Sequence, residues 1–255
     1  MFSQIIVNLS NDPGVNNDLA AVVMSTIDEF KKIYSEPPPA GIRPIHIGSD
    51  QKNGPLTDST TNTSLYYVLL SVNGRKYNQV AYQLAHEICH IFADPRRSNW
   101  FTESCCELAS LIILDKLTMA WGITPPFPNW ISYAPNFKQY AEERIRKITK
   151  EVFQEEFLPD NKKLRAWLMT SRNTFKANPI ERSRNTIIAL MLRPIFEEAI
   201  NNWKAIRFLG QASINPPISL KDLDLNVEIN FDIWEKVVPE QLKEVVRRIS
   251  ALFYK

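Results

Sequence analysis

Two of the three histidines in this chain lie four residues apart, in the segment His86-Glu87-Ile88-Cys89-His90. The other residues between positions 84 and 92 are uncharged, and the pattern predicts a buried helix over residues 77–93 that ends before Pro95. Residues four apart project from one face of a helix, so two imidazoles and a carboxylate would be buried together. Because a buried polar cluster needs a partner, the fold has to bring one to this helix.

A zinc ion is the partner that this spacing predicts. His86 and His90 can bind one Zn²⁺ at about 2.0–2.1 Å. Glu87 then flanks a zinc-bound water whose pKa is lowered to about 7, and its carboxylate can take the proton and later pass it to a leaving amine. The alternative, that both residues are ordinary core histidines, is disfavoured by their spacing on an apolar helix.

The third ligand is predicted on a second helix, over about residues 100–121. Pro95 and the polar residues after it let the chain reverse and bring this helix back against the first. Glu103 then lies in its first turn and faces the histidines. Glu107 lies one turn later, where it can accept the free imidazole N–H of a ligand. Asp94 and Glu107 stay open as rival third ligands, although Pro95 disfavours helical continuation through Asp94.

An HExxH motif followed by a helix with Glu-x-x-x-Glu, here preceded by Trp100-Phe101-Thr102, resembles the gluzincin branch of zinc metallopeptidases, the thermolysin- and aminopeptidase-like zincins. The resemblance covers about residues 65–115. It implies an edge strand at residues 65–72 that pairs with an extended substrate. It also implies the roles of five residues: His86, His90 and Glu103 as zinc ligands, Glu87 as general base and Glu107 as the carboxylate behind the ligands.

The sequence departs from that family in three respects. Only 12 residues separate His90 from Glu103, fewer than in the large gluzincins, so the intervening loop must be tight. There is no Gly-x-Met-Glu-Asn exopeptidase motif, which argues against an aminopeptidase. Arg96 stands at the position where metzincins have a third histidine.

Apolar periodicity predicts the rest of the fold. Short strands are predicted over residues 4–9, 43–48 and 65–72, and a first helix over about residues 17–34. The Pro-rich segment 122–135 predicts a boundary between subdomains. We therefore expect an α+β fold. A zincin-like catalytic subdomain with a small mixed sheet would span residues 1–122, and a mainly helical subdomain over residues 123–255 would form the other side of the cleft.

Composition excludes several classes of function. The 255 residues include 30 Lys and Arg against 28 Asp and Glu, so the chain lacks the basic excess of a nucleic-acid-binding protein. Its apolar runs fall far short of the roughly 20 residues that span a bilayer, and we expect a soluble protein without a membrane partner. Three cysteines, two of them adjacent at Cys105 and Cys106, indicate a reducing, cytoplasmic compartment.

The sequence therefore predicts a zinc-dependent metallopeptidase that hydrolyses peptide or protein substrates. One alternative is a zincin-fold regulatory or interaction protein with structural zinc and little general peptidase activity. Another is a metal-free helical binding module, which a chelator would not destabilise. A Cys/His protease is disfavoured, because neither adjacent cysteine has a sequence cue for a lowered thiol pKa. Four residues stay open as the donor to the oxyanion: Tyr133, Tyr140, Arg182 and Arg184.

Overall fold

The structure is a computed structural model that describes residues 1–58, 64–94, 98–175, 177–214 and 228–254. It has the predicted α+β fold, in which a small mixed sheet and a two-stranded sheet accompany a mainly helical remainder. The strands within these residues are β1 (Ile5–Asn8), β2 (Ile45–Ser49), β3 (Leu56–Asp58), β4 (Tyr66–Leu70), β5 (Ser213–Ile214) and β6 (Glu228–Ile229). The α-helices are α1 (Pro13–Ile33), α2 (Tyr77–Ala93), α3 (Trp100–Ile123), α4 (Ala134–Phe153), α5 (Asn161–Ser171), α6 (Arg182–Glu198), α7 (Leu209–Ala212), α8 (Phe231–Val237) and α9 (Glu240–Tyr254). Short 3-10 helices cover Pro128–Tyr133, Arg172–Thr174 and Ile200–Phe208.

The main sheet has the strand order β1-β2-β4-β3. Strands β1, β2 and β4 are parallel, whereas β3 runs antiparallel to β4. The register aligns Val7 with Ile47 and Ile47 with Val68. Val68 in turn is aligned with Thr57. This row lies on the face that buries Ile47 and Val68, where β-branched apolar side chains pack well, and Thr57 ends it at the edge of the sheet.

The edge of the sheet differs from the predicted one. The strand found within residues 65–72 is β4, which pairs with β2 on one side and with β3 on the other, so the prediction that it is an edge strand is wrong. On this side of the sheet the edge strand is β3. The sequence pattern missed β3 because the strand has only three residues and two of them, Thr57 and Asp58, are polar.

Helix α1 follows β1 and begins earlier than the predicted start near residue 17. Asp12 caps it, because its Oδ1 atom accepts hydrogen bonds from the backbone N–H groups of Gly14 and Val15 at 2.8 and 3.0 Å. Pro13 lies in the first turn, where a missing N–H is tolerated. One apolar stripe of the helix is buried: Leu19, Val22, Val23, Ile27, Phe30 and Ile33.

Helices α2 and α3 carry the predicted site residues. Helix α2 has the predicted bounds, and α3 begins at the predicted residue and ends slightly later, at Ile123. Asn99 caps α3, since its Oδ1 atom accepts hydrogen bonds from the N–H groups of Phe101 and Thr102, each at 3.0 Å. Every residue of α3 from 101 to 114 except Glu103 is buried. A helix that is enclosed on all sides in this way belongs to the core.

The chain forms two compact units, each built from two segments. The first unit comprises residues 1–91 and 109–143 and contains the main sheet, α1 and a cluster of aromatic rings: Tyr77, Trp121, Trp130, Tyr133 and Phe137. The second comprises residues 92–108 and 144–255, with a second aromatic cluster: Trp100, Phe101, Phe231, Trp234 and Phe253. The predicted boundary between residues 122 and 123, with a catalytic subdomain before it and a helical subdomain on the other side of the cleft after it, stays a prediction.

In the helical C-terminal half, helices α6 and α9 each bury a set of apolar side chains. Helix α6 fully buries Ile187, Ile188, Ala189 and Leu192, and it contains Pro194. Helix α9 is amphipathic and buries one stripe: Leu242, Val245, Val246, Ile249 and Phe253. None of the helices in the described ranges is both long and apolar enough to cross a lipid bilayer.

Candidate metal centre

Helix α2 brings the two motif histidines together. Their ring centroids lie 4.9 Å apart, as expected for residues one turn apart on a helix face. His90 is buried, with 8 % of its surface exposed, and His86 is half-buried. The arrangement satisfies the first requirement of the predicted zinc site, which is two imidazoles on one face.

Cys106 of α3 completes a group of three donors with these histidines. Each of the three residues offers one ligand atom, and these atoms all lie within 4.8 Å of one another. Imidazole nitrogen and cysteine sulfur are common zinc ligands, and soft sulfur donors select zinc over hard cations. Among the described residues, His86, His90 and Cys106 therefore form a group that could hold a metal ion.

Cys106 was not predicted as a donor, although its spacing from Glu103 is compatible with that role. Cys106 follows the predicted third ligand, Glu103, by three residues. Residues three apart on a helix share a face, so any orientation of α3 that turns Glu103 towards the histidines brings Cys106 towards them as well. The other two cysteines of the chain, Cys89 and Cys105, are buried and form no disulfide bond.

Glu103 lies in the first turn of α3, as predicted, but it does not belong to the three-donor group. Its side chain is half-buried, and its Oε1 atom accepts a hydrogen bond from the Ser98 hydroxyl at 2.6 Å. The position also suits a carboxylate because the N-terminal end of a helix attracts negative charge. Its role as third ligand stays a prediction.

Glu107 is buried, with 3 % of its surface exposed. Its Oε1 atom accepts a hydrogen bond from the Thr186 hydroxyl of α6 at 2.9 Å. An ionised carboxylate has about four lone-pair sites, so this bond leaves capacity for a further donor. The predicted role of Glu107, as acceptor of an imidazole N–H, stays a prediction.

Glu87, the predicted general base, is buried with 3 % of its surface exposed. Its Oε2 atom accepts a hydrogen bond from the Thr57 hydroxyl of β3 at 2.8 Å. The same hydroxyl lies 3.0 Å from the backbone carbonyl oxygen of Glu87. Thr57 was not predicted as part of the site, because a contact between residues 30 positions apart leaves no periodic signal in the sequence.

Asp94, the rival third ligand, lies immediately after the last residue of α2. Its backbone has a φ of 71°, in the left-handed region, so the helix does not continue through it. Gly210 of α7 packs closely against it, because a Cβ atom at that glycine would lie 2.5 Å from the Asp94 Cβ atom. Pro95 and Arg96, on which the predicted tight loop depends, lie outside the described residues.

Among the candidate donors to the oxyanion, Tyr140 packs against a residue on the face of α2 that carries the histidines. Its ring packs edge-on against Tyr82 with centroids 5.9 Å apart, and Tyr82 lies one helical turn before His86. Tyr133 instead joins the first aromatic cluster, and its hydroxyl accepts a hydrogen bond from the Asn78 N–H at 3.4 Å. Burial raises the pKa of the Tyr133 hydroxyl, and the bond from Asn78 opposes that shift.

The two arginine candidates have other surroundings. Arg184 is buried, donates to the Thr174 carbonyl oxygen at 2.6 Å and pairs with Glu181. Its guanidinium also lies over the Phe175 ring, 5.3 Å from the centroid. Arg182 is exposed in the first turn of α6.

Comparisons with protein-family models, with curated proteins and with solved structures find no significant match. The resemblance to gluzincins therefore depends on the motif residues between positions 65 and 115. A resemblance in a motif does not establish an activity by itself, because function depends on the residues of the site.

Proposed function

We propose that this protein is a zinc-dependent metallopeptidase of the gluzincin type, which hydrolyses peptide bonds in peptide or protein substrates. The observation that supports the proposal most strongly is the group of ligand atoms from His86, His90 and Cys106, which all lie within 4.8 Å of one another. Glu87, whose carboxylate is buried, follows His86 directly in the sequence. Metal donors combined with an adjacent buried base are typical of hydrolytic zinc sites.

The residues present fit zinc. His86 and His90 would hold it, with Cys106 or Glu103 as the third ligand. Three protein ligands leave one position open, which is typical of catalytic zinc, whereas structural zinc usually has four protein ligands. When bound, zinc supplies polarisation of the substrate carbonyl and a lowered pKa of water.

The chain's own side chains supply the proton transfers. Glu87 would accept the proton of the attacking water and then pass it to the nitrogen of the leaving amine. Glu107 would accept an imidazole N–H and so fix the ring orientation of a histidine ligand. Tyr140 is the preferred donor to the oxyanion, because its partner Tyr82 shares the face of α2 that carries His86.

Two further proposals follow from composition. The three cysteines are buried and form no disulfide bond, which suits a protein of the reducing cytoplasm, and we propose a cytoplasmic location. The near balance of charges favours a peptide or protein substrate over a nucleic acid.

Metal analysis combined with the Glu87→Gln variant tests the proposed function. Purified wild-type protein should contain about one zinc per chain and cleave members of a peptide library. Glu87→Gln should keep its zinc and lose about 10²- to 10⁴-fold in kcat, because the amide cannot accept the proton. Glu29→Gln is the matched control, since Glu29 is also buried, with 6 % exposed, but lies on α1 and pairs with Lys32.

Two results would contradict this function. Absence of stoichiometric zinc from the wild type would refute the proposed zinc site. Full activity of Glu87→Gln would refute the role of Glu87 as general base. Bound zinc without cleavage of any library member would instead support the regulatory or interaction protein with structural zinc.

A further inference from the structure

We propose that Thr57 is a positioning residue for the Glu87 carboxylate. The inference deepens the proposed function and rests on it for its catalytic meaning. It assigns a role in the site to β3, the short edge strand that the sequence pattern does not predict.

The position of Thr57 in the sheet makes its hydroxyl unusual. Val7, Ile47 and Val68 precede it in the same cross-strand row, so an apolar β-branched residue would continue the pattern. Threonine has nearly the shape of valine but adds a hydroxyl, which loses stability on this face unless it finds a hydrogen-bond partner. The partner that it has is the carboxylate of Glu87.

The geometry of the contact suits a carboxylate that has to hold one orientation. The Thr57 hydroxyl oxygen lies 2.8 Å from Glu87 Oε2 and 3.0 Å from the Glu87 carbonyl oxygen. When the carboxylate is ionised, the hydroxyl can donate to Oε2. When Oε1 carries a proton, Oε2 keeps its lone pairs and the hydroxyl can still donate to it. In both cases Oε2 stays on the Thr57 side.

This contact matters for the proposed reaction because it leaves Oε1 as the oxygen that meets water. A general base must lie within hydrogen-bond reach of the proton that it takes, and a misplaced carboxylate loses rate. Hydrogen bonds to a charged group are about twice as strong as those between neutral groups. Since Glu87 is buried, little water competes with Thr57 for this bond.

Three variants test the inference by kinetics. Thr57→Val keeps the shape and removes the hydroxyl, so kcat should fall about 10- to 100-fold with little change in KM and no loss of zinc. Thr57→Ser keeps the hydroxyl and should restore kcat to within a few-fold of the wild type. Thr26→Val is the matched control, because it removes a buried hydroxyl that bonds to the Val22 carbonyl oxygen, and kcat should not change.

The carboxyl ¹³C resonance of Glu87 provides a readout that needs no substrate. In glutamate-labelled protein this resonance is the one that Glu87→Gln removes. It should shift in Thr57→Val, and stay at the wild-type position in Thr57→Ser and Thr26→Val. An unshifted resonance in Thr57→Val, wild-type kcat in that variant, or equal loss in the valine and serine variants would overturn the inference. A shifted resonance in a protein that cleaves nothing would support the positioning contact and refute the peptidase function.

Discussion

At the residue scale, the identity of the third donor in the candidate metal centre decides which chemistry the site could support. Cys106 belongs to the three-donor group, whereas Glu103 is the ligand that the family resemblance implies. A thiolate is softer than a carboxylate and donates more charge, so the two alternatives predict different metal preferences and different spectra. The neighbouring Cys105 is also buried and forms no disulfide bond, so a substitution at Cys105 is a matched control for one at Cys106.

We expect Cys106→Ser to weaken zinc binding by more than about 100-fold, since loss of a partner behind the ligands already reduces affinity about 10- to 100-fold. In the cobalt-substituted protein this variant should also lose the near-ultraviolet absorption that a sulfur–cobalt bond produces. Glu103→Gln should keep both properties, and so should the control Cys105→Ser. Loss of affinity in Glu103→Gln, with unchanged binding in Cys106→Ser, would assign the third ligand to the carboxylate.

At the scale of elements, the backbone of α7 lies close to the side chain of the residue that follows α2. Gly210 of α7 lies against Asp94, the first residue after that helix, so an added Cβ atom would come within 2.5 Å of the Asp94 Cβ atom. His90 lies one turn before Asp94, so the end of the helix lies close to one of the candidate metal ligands. A larger residue at position 210 has to displace either α7 or the end of α2.

Gly210→Ala should therefore lower the free energy of unfolding by about 1–3 kcal/mol, the usual range for overpacking a filled site. The shift of the urea midpoint measures it. Gly122→Ala is the control, because Gly122 lies in α3 with no atom within 4 Å of an added Cβ. In that variant the free energy of unfolding should stay unchanged or rise by about 0.5–1 kcal/mol. Equal urea midpoints for Gly210→Ala and the wild type would contradict this prediction and show that α7 can shift to accommodate the added methyl group.

Local signals predicted the elements that have strong local patterns. The bounds of α2 follow from an apolar run and the proline behind it, and α3 begins where an asparagine cap precedes a second apolar run. Strand β3 has no such pattern, and its contact with Glu87 joins residues 30 positions apart. Cys106 was missed for a different reason, since its residue type is as common in cores as in metal sites. Spacing alone does not separate these two uses.

At the scale of the whole molecule, metal binding should be visible as stability. The candidate ligands come from α2 and α3, two helices separated in the sequence, and the unfolded chain does not hold their side chains together. Under the proposed function, zinc should therefore bind the native state preferentially and stabilise it by mass action. Free zinc at about 100 times its dissociation constant contributes about 2.7 kcal/mol.

A chelator should lower the melting temperature of the zinc-loaded protein by about 5–10 °C, because each kcal/mol corresponds to about 2–4 °C in a chain of this size. Calorimetry with and without chelator measures the shift, and added zinc should reverse it. A double variant, His86→Ala with His90→Ala, should melt at one temperature in both buffers, since it has lost two donors. If the wild type also melts identically in both, the metal-free binding module replaces the metallopeptidase, because a native-state ligand cannot be removed without a change in stability.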